Sequence, residues 1–457
     1  MNGGRVLDAV VVGGGPAGST VATLLRRAGA AVALCDAARF PRHKICGEYV
    51  PPAALNTFAG LGVLAEVEAL GPLRHVGMAV VSPDGTKVLG RYGGEARGLS
   101  VRRHDLDRVL LDGARRAGVA VFEEARVIGF ARGSGGIFEV RVRSGGVLRA
   151  RAIVGADGRN SLVARRLGLR RREPRHRKWA VMGHFRDVET EADHGEMIVT
   201  PYGYCGINPL PGGLANVCIV VDRVTIRGPA AGGARLTGFF DRHMAAHPLT
   251  RRRMARAVLA EGLWAAGPMA CRAADSVADG VLLVGDAAGF YDPFTGEGIG
   301  MALRGAEMAA EALAQALRRG EVTRRALQPY AAARRAAFRD RLRLDRLLQA
   351  LLRRPRLADW AARRLSRDQG LADLLARVTG DTAAAAEVLG PGFVARLRKA
   401  ISVEPDALRK LRRLIALHFQ VLESNPDLAE VVQVELRQGH KFFRGASMTK
   451  PPPAADT

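Results

Sequence analysis

"LDAVVVGGGPAGSTVATLLRRAGAAVALCD", residues 7–36, decides the fold. The β-branched run 7–12 reads as a buried parallel strand. Gly13, Gly15 and Gly18 follow it in G-x-G-x-x-G spacing, with Pro16 and Ala17 in the same loop. The first glycine allows the tight turn, the second lets backbone approach a pyrophosphate, and the third lets helix and strand pack closely. "STVATLLRRAG" then has helical spacing and stops at Gly29, a C′ glycine. Its N-terminus presents partial positive charge to phosphates. "AAVALCD" is a second strand, ending on Asp36, whose carboxylate can accept hydrogen bonds from a ribose. Strand, glycines, helix, strand and acid make one dinucleotide-binding βαβ unit, which by itself leaves NAD, NADP and FAD open.

The rest of the chain must accommodate that unit. At 457 residues it predicts two or three folded units. The formal net charge of +24 raises a nucleic-acid or anionic-membrane partner. However, only seven of the 69 basic residues are lysine, and the arginines are spread through nearly every segment, so an arginine-rich composition is the simpler reading and no nucleic-acid partner is expected. Cys35, Cys46, Cys205, Cys218 and Cys271 show neither CxxC spacing nor a His/Cys cluster, which argues against a metal site and a disulfide framework. A reducing, cytoplasmic setting fits them. The N-terminus lacks a signal-peptide layout, and no apolar run reaches the ~18 residues of a spanning helix.

Outward from residue 36, "LSVRRHDLDRVLLDGARRAG" (99–118) is an amphipathic helix with a basic face. "VAVFEEARVIGF", "GIFEVRVRSGG" and "VLRARAIVGADG" read as strands separated by glycine turns. "WAVMGHFRDV", "GEMIVTPYGYCGINPLP" and "LANVCIVVD" add strands between 179 and 221, and "GVLLVGDAAGF" at 280–290 is again a buried strand entering a loop. Beyond 300 the chain turns helical and rich in Ala, Leu and Arg.

Two later motifs choose among the dinucleotides. "GADGRNSLVARRLG" (155–168) puts Asp157 and Gly158 between strand and helix, and "GDAAGFYDPFTGEGIGMAL" (285–303) puts Gly285 and Asp286 at another strand end. With the N-terminal fingerprint they resemble the three signatures of FAD-dependent hydroxylases and reductases of the p-hydroxybenzoate hydroxylase type. The resemblance implies that the first loop binds the ADP half of FAD and Asp286 holds the ribityl chain. It also implies that Pro293, Gly296, Glu297, Gly298 and Ile299 approach the flavin's pyrimidine edge. Arg103 matches an arginine contacting the FAD diphosphate or ribityl region, and Val127 a position touching adenine through its backbone.

"FPRHKICGEYVPPAAL" (40–55) narrows the match, since it resembles the geranylgeranyl reductase-like branch. The strand expected over the flavin in that branch, "GYxWxFP", is matched here at Tyr204 and Pro209, with Gly206 at the tryptophan position. Flavin-dependent halogenases carry W-x-W-x-I-P at the comparable place, and residues 204–209 contain neither tryptophan. The fold expected is α/β: a Rossmann-like FAD-binding domain, an antiparallel β-sheet substrate domain and a helical C-terminal region. Its boundaries are 1–180 and 275–325 for the two parts of the FAD-binding domain, 181–274 for the substrate sheet, 326–400 for a helical cap, and 401–457 for a helical extension with a disordered tail.

Arg42, Lys44 and Gly47 are read as cofactor contacts. Cys46 is read as lining the isoalloxazine face and able to donate a proton, with Glu48 and Tyr204 as further catalytic candidates. One reaction is reduction of carbon–carbon double bonds in a large hydrophobic, isoprenoid or lipid-like substrate. The alternative is a monooxygenase hydroxylating an aromatic or polyketide-like one. Only one glycine-fingerprint unit is present, so NAD(P)H or another reductant binds transiently. "PLPGG" (209–213) is expected to turn near the ring. The arginine-flanked helices after 325 read as a cap, with peripheral contact to anionic lipid as a second reading. Residues 408–445 resemble helices from the ligand-binding half of TetR-type regulators, which raises a ligand-sensing regulator as the alternative of another class. The oligomeric state is not read from the sequence.

Overall fold

The computed structural model describes residues 5–171, 173, 178–222, 233–390 and 392–393. The opening unit folds as its pattern requires. Strand β1 (Val6–Val12), helix α1 (Pro16–Arg27) and strand β2 (Val32–Cys35) form one βαβ crossover, with β1 and β2 parallel and Ala9 in register with Val32. Gly13 has φ of +105°, a conformation that glycine adopts without steric cost.

The chain then leaves this sheet and returns to it. Strands β3 (Gly77–Val81) and β4 (Lys87–Arg91) pair antiparallel with each other, at the edge of a second sheet. Helix α2 (Arg103–Arg116) leads back. Strand β5 (Ala120–Phe122) then joins β2, and β6 (Val147–Gly155) joins β1, both parallel. An antiparallel excursion, Val127–Arg132 and Phe138–Val142, attaches to β6.

The second sheet is completed by β7 (Lys178–Arg186), β8 (His194–Thr200), β9 (Gly203–Leu210) and β10 (Leu214–Asp222). Its central order is β7-β10-β9-β8-β3-β4, antiparallel except for the β8–β3 pair. Residues 77–91, which the boundary 1–180 assigns to the first part of the FAD-binding domain, thus supply two strands to this sheet. The single strand pattern "GEMIVTPYGYCGINPLP" is divided into β8 and β9 by the turn at Pro201–Tyr202.

Strand β11 (Val281–Leu283) returns to the first sheet, parallel to β6, giving the order β11-β6-β1-β2-β5. Helix α3 (Gly298–Arg318) packs on α1 through Ala306, Ala309, Ala310 and Leu313, which share one buried cluster with Val21, Ala22 and Leu25. Each such leucine contributes about 1.5–3 kcal/mol by burial. Helix α4 (Arg324–Leu352) follows, then Pro355–Leu365 and Gln369–Thr379. These last two lie on the edge strand β4: Gln369 donates to Leu89 O at 2.8 Å and Arg91 N to Asp373 at 2.9 Å. At Gly90 a Cβ would sit 2.4 Å from Ala372 O, so helix and strand approach there because the side chain is missing. The helical cap therefore also covers an exposed sheet edge. Residues 394–457, with the whole regulator-like stretch 408–445 and the tail, lie outside the described residues, and no described helix is long and apolar enough to cross a membrane.

Candidate active site

A cavity of about 760 Å³ opens between the two sheets at the C-terminal ends of β1, β2, β6 and β11, where ligands bind in open parallel sheets. Gly13, Gly15, Pro16, Ala17, Asp36, Arg42, Lys44, Cys46, Gly47, Arg103, Val127, Asp157, Gly285, Asp286, Pro293, Gly296, Gly298, Ile299 and Tyr204 all line it. They come from seven separated stretches of chain, so the fold brings the sequence motifs into one crevice. Gly18, Glu48, Pro209 and Glu297, also singled out from the sequence, are not among the residues lining it. Gly18 serves packing, since a Cβ there would lie 1.8 Å from Gly13 O.

The cavity's first end has the chemistry of a nucleotide site. A Cβ at Gly15 would meet nothing nearer than Arg42 Nη2 at 3.6 Å. That leaves open space between the N-terminus of α1 and a cation, which is the arrangement that receives a diphosphate. Asp36 accepts hydrogen bonds from Gly14 N (2.7 Å) and Ala38 N (2.8 Å), which fix its carboxylate at the rim. Asp157 accepts from Leu162 N at 2.6 Å, while its buried Oδ1 has no partner among the described residues. Burial raises the Asp157 pKa against these bonds.

Arg42 and Arg103 converge on the fully buried Asp107, Arg103 through two bonds of 2.7 and 2.8 Å. Burial opposes the charge of Arg103, but Asp107 holds its guanidinium above the ordinary arginine value. Lys44 also faces this end, where burial pulls its pKa down and Asp286 opposes the shift. The glycine corner forms the far wall: Gly296 has φ of +72°, and a Cβ there would lie 2.8 Å from the Tyr49 ring. Glu297 points out of the cavity and pairs with the buried Arg341, which also binds Asp381 at 3.0 Å.

Cys46 stands on the wall between the two ends, its Sγ accepting from Glu48 N at 3.4 Å. Glu48 has a different place from the one its neighbourhood in the sequence led us to expect. It is buried behind the wall, with φ of +57°. Its carboxylate accepts from Arg103 N (2.8 Å) and Asn216 Nδ2 (3.0 Å) and lies 2.7 Å from His184 Nε2. Glu48 therefore anchors the Cys46–Gly47 loop rather than meeting substrate.

Tyr204 lines the cavity but donates its phenol proton to Asp292 at 2.6 Å. Burial, then Asp292, holds its pKa well above the ordinary tyrosine value. Asp292 also accepts from Gln349 Nε2 (2.7 Å) on α4 and pairs with Lys178 at 3.3 Å. Lys178 Nζ sits 4.7 Å over the Tyr204 ring, and burial lowers its pKa despite Asp292. The sequence reading missed Lys178, Asp292, Gln349, His184 and Asn216. The one available signal was a lysine, scarce in this chain, at the start of a mostly apolar strand. Residues 209–213, expected to turn near the ring, are not among those lining the cavity.

Comparison with known proteins agrees with this geometry. Residues 6–344 match the FAD binding domain family. The chain belongs to that family. It is 28% identical over 345 residues to a digeranylgeranylglycerophospholipid reductase of Methanoculleus marisnigri, covering 72% of this chain and 82% of the relative. It is 30% identical over 400 residues to conditioned medium factor receptor 1 of Dictyostelium discoideum, covering 82% and 77%. Among solved structures, the flavin-dependent brominase Bmp2 superposes with a TM-score of 0.74 at 21% identity, covering 87% of this chain and 98% of that one, which shows a shared fold. Residues 387–446 match the C-terminal region of a YsiA-like protein. This member of the FAD binding domain family is an FAD-dependent oxidoreductase. The open space at Gly15, the helix N-terminus and the Arg42–Lys44–Arg103 cations fit the diphosphate of FAD.

Proposed function

We propose that the chain reduces carbon–carbon double bonds of a large apolar substrate of isoprenoid or lipid-like character, drawing electrons from NAD(P)H or another small reductant. The observation that carries this reading is Cys46 Sγ, placed on the cavity wall beside the Arg103 guanidinium at the junction of the nucleotide end and the sheet. Bound FAD supplies hydride transfer. The chain's own residues do the rest. Arg42, Lys44 and Arg103 take the diphosphate charge, and the sheet residues Met78, Met197 and Val220 exclude water. Cys46 holds a proton at Sγ, and Tyr204 holds a second one on its phenol. The reductase named among the relatives supports the substrate class. Helices rich in arginine after residue 325 suit delivery of such a substrate from an anionic lipid surface.

The purified protein is expected to be yellow, with flavin absorbance. Incubated without oxygen with NAD(P)H and a C20 isoprenoid, it should yield a product heavier by two hydrogens per double bond. Substrate-coupled oxygen consumption with hydroxylated product would replace this reading with the monooxygenase. A colourless protein that binds a specific DNA fragment would replace it with the regulator. Cys46→Ser should lower turnover by about 10²–10⁴-fold while leaving the flavin spectrum unchanged. Full turnover in that variant removes Cys46 from the chemistry.

A further inference from the structure

The loop 292–297 separates the cavity from helix α4. Pro293, Phe294 and Gly296 line the cavity, as does Gly298 at the start of α3. Asp292, Thr295 and Glu297 do not line it; they are buried and meet a polar stripe of α4. Arg341, Asp345 and Gln349, spaced four residues apart and therefore on one face of that helix, are buried as well. Each takes one residue of the loop. Arg341 pairs with Glu297, Asp345 Oδ1 lies 3.4 Å from Thr295 Oγ1, and Gln349 Nε2 donates to Asp292 at 2.7 Å.

The charges along this stripe leave one acid over. Lys178 answers Asp292 at 3.3 Å, and Arg341 is divided between Glu297 and Asp381, 3.0 Å from the latter. Asp381 also has Arg304 at 3.5 Å, and Arg346 stands over the Tyr291 ring. On the Glu297 side, Tyr49 and Tyr92 are bonded to each other, and burial keeps both phenols neutral. Among the described residues Asp345 has no cation at ion-pair distance, and its hydrogen-bond partner is a hydroxyl. A carboxyl buried on those terms takes up a proton.

The hydroxyl gives a second argument, from geometry. Thr295 Oγ1 is 3.2 Å from Glu297 Oε2 as well as 3.4 Å from Asp345 Oδ1. It has one hydrogen to give, so both contacts are hydrogen bonds only when one carboxyl brings its own. Arg341 favours Glu297 as the ionised one. Asp345 then donates to Thr295, and Thr295 to Glu297. Burial, then the charge of Asp292, pushes the Asp345 pKa up to about 7, and burial raises that of Glu297, which suits two carboxyls sharing one proton.

We infer that Asp345 is a positioning residue for the flavin's redox chemistry: with Glu297 it holds one exchangeable proton behind the glycine corner, bound more tightly when the flavin is reduced. With the diphosphate at Arg42, Lys44 and Arg103, the flavin ring extends toward this far wall. Two electrons and one proton, taken at N5, leave a reduced flavin with one negative charge. Negative charge on the cavity side of the loop opposes ionisation of the acid pair on the other side. Where the pair has lost its proton, reduction therefore draws a second one onto it from solvent. The inference requires only a redox-active flavin and holds whichever substrate is turned over.

The test follows the midpoint potential of the FAD-loaded protein by spectroelectrochemistry across pH 6–9. The slope against pH counts the protons taken up per electron pair. Between about pH 7 and 8.5 the wild-type slope should be about twice that of Asp345→Asn, two protons against one. The asparagine keeps the shape and neutrality of the protonated acid, so this variant should retain its FAD and its oxidised spectrum. If it does not retain FAD, Asp345→Ser is measured in its place. A residue that merely supported the loop would alter FAD affinity and leave the slope unchanged. Equal slopes in wild type and variant, or a one-proton slope in the wild type over that range, overturn the inference. Neither result bears on the reductase reading.

Discussion

Gly18→Ala should purify without flavin colour, with FAD affinity lowered by more than about 10²-fold. The added methyl would lie 1.8 Å from Gly13 O, 3.0 Å from Gly13 C and 3.1 Å from the Ala156 Cβ. Two of these neighbours are backbone of the strand-to-helix turn, so no rotamer change relieves the clash. The N-terminus of α1 must move away from β1 by about an ångström, and displacement on that scale costs on the order of 10²-fold at a preorganised site. Overpacking adds about 1–3 kcal/mol of destabilisation. The checks are the visible absorbance of the purified variant and a titration of apoprotein with FAD. A yellow Gly18→Ala protein with wild-type FAD content would show that the turn is looser than its contacts imply.

Glu48→Ala should be the most damaging single change among the residues behind the wall, costing about 3–5 kcal/mol because it breaks a buried ion pair and also strips the acceptor from Arg103 N and Asn216 Nδ2. His184 has an acid at each ring nitrogen: Glu48 at 2.7 Å and Glu261 at 2.8 Å, the latter also held by Arg102. Burial works against the imidazolium, but the bonds and charges of Glu48 and then Glu261 outweigh it and raise the pKa. The sign follows from linkage. A pKa raised on folding gives stability that is fully present below the ordinary histidine value of about 6.5 and is lost as pH rises through the folded value. The wild-type melting temperature should therefore decline as the pH rises above about 6.5. Glu48→Gln, which keeps the shape but removes one carboxylate, should shift that decline to lower pH. Thermal unfolding measured across pH 5–9 tests both statements, and identical profiles for the wild type and Glu48→Gln would dismiss the ion pair as the cause. Turnover should fall in both variants, since Glu48 also holds Arg103 N and the loop that carries Cys46.

Several features were unreadable before folding. Glu48 sits in the sequence beside Cys46 and looks like its partner in chemistry, yet its carboxylate is turned toward a histidine 136 residues away. Tyr204 was legible as part of a flavin-facing strand, but the Asp292, Lys178 and Gln349 that hold its phenol come from three other segments. Gly206 was legible as a departure from the branch pattern. That it faces the cavity against Met197 follows from the pairing of β8, β9 and β10. Residues 77–91 carried no mark that they would pair with β8 instead of extending the parallel sheet.

By itself the sequence determined the nucleotide end: the turn at Gly13–Gly18 and the acid at Asp36, with the loops at Asp157 and Asp286 adding the resemblance that implied FAD. Those demands are local, because a tight turn, a helix N-terminus and a strand end are imposed by residues a few positions apart. The tertiary structure alone decided which acids face the cavity and which are buried, how the cap closes the second sheet's edge, and where room is left for substrate. These depend on strand register and on desolvated contacts between residues a hundred or more positions apart. No local pattern encodes them.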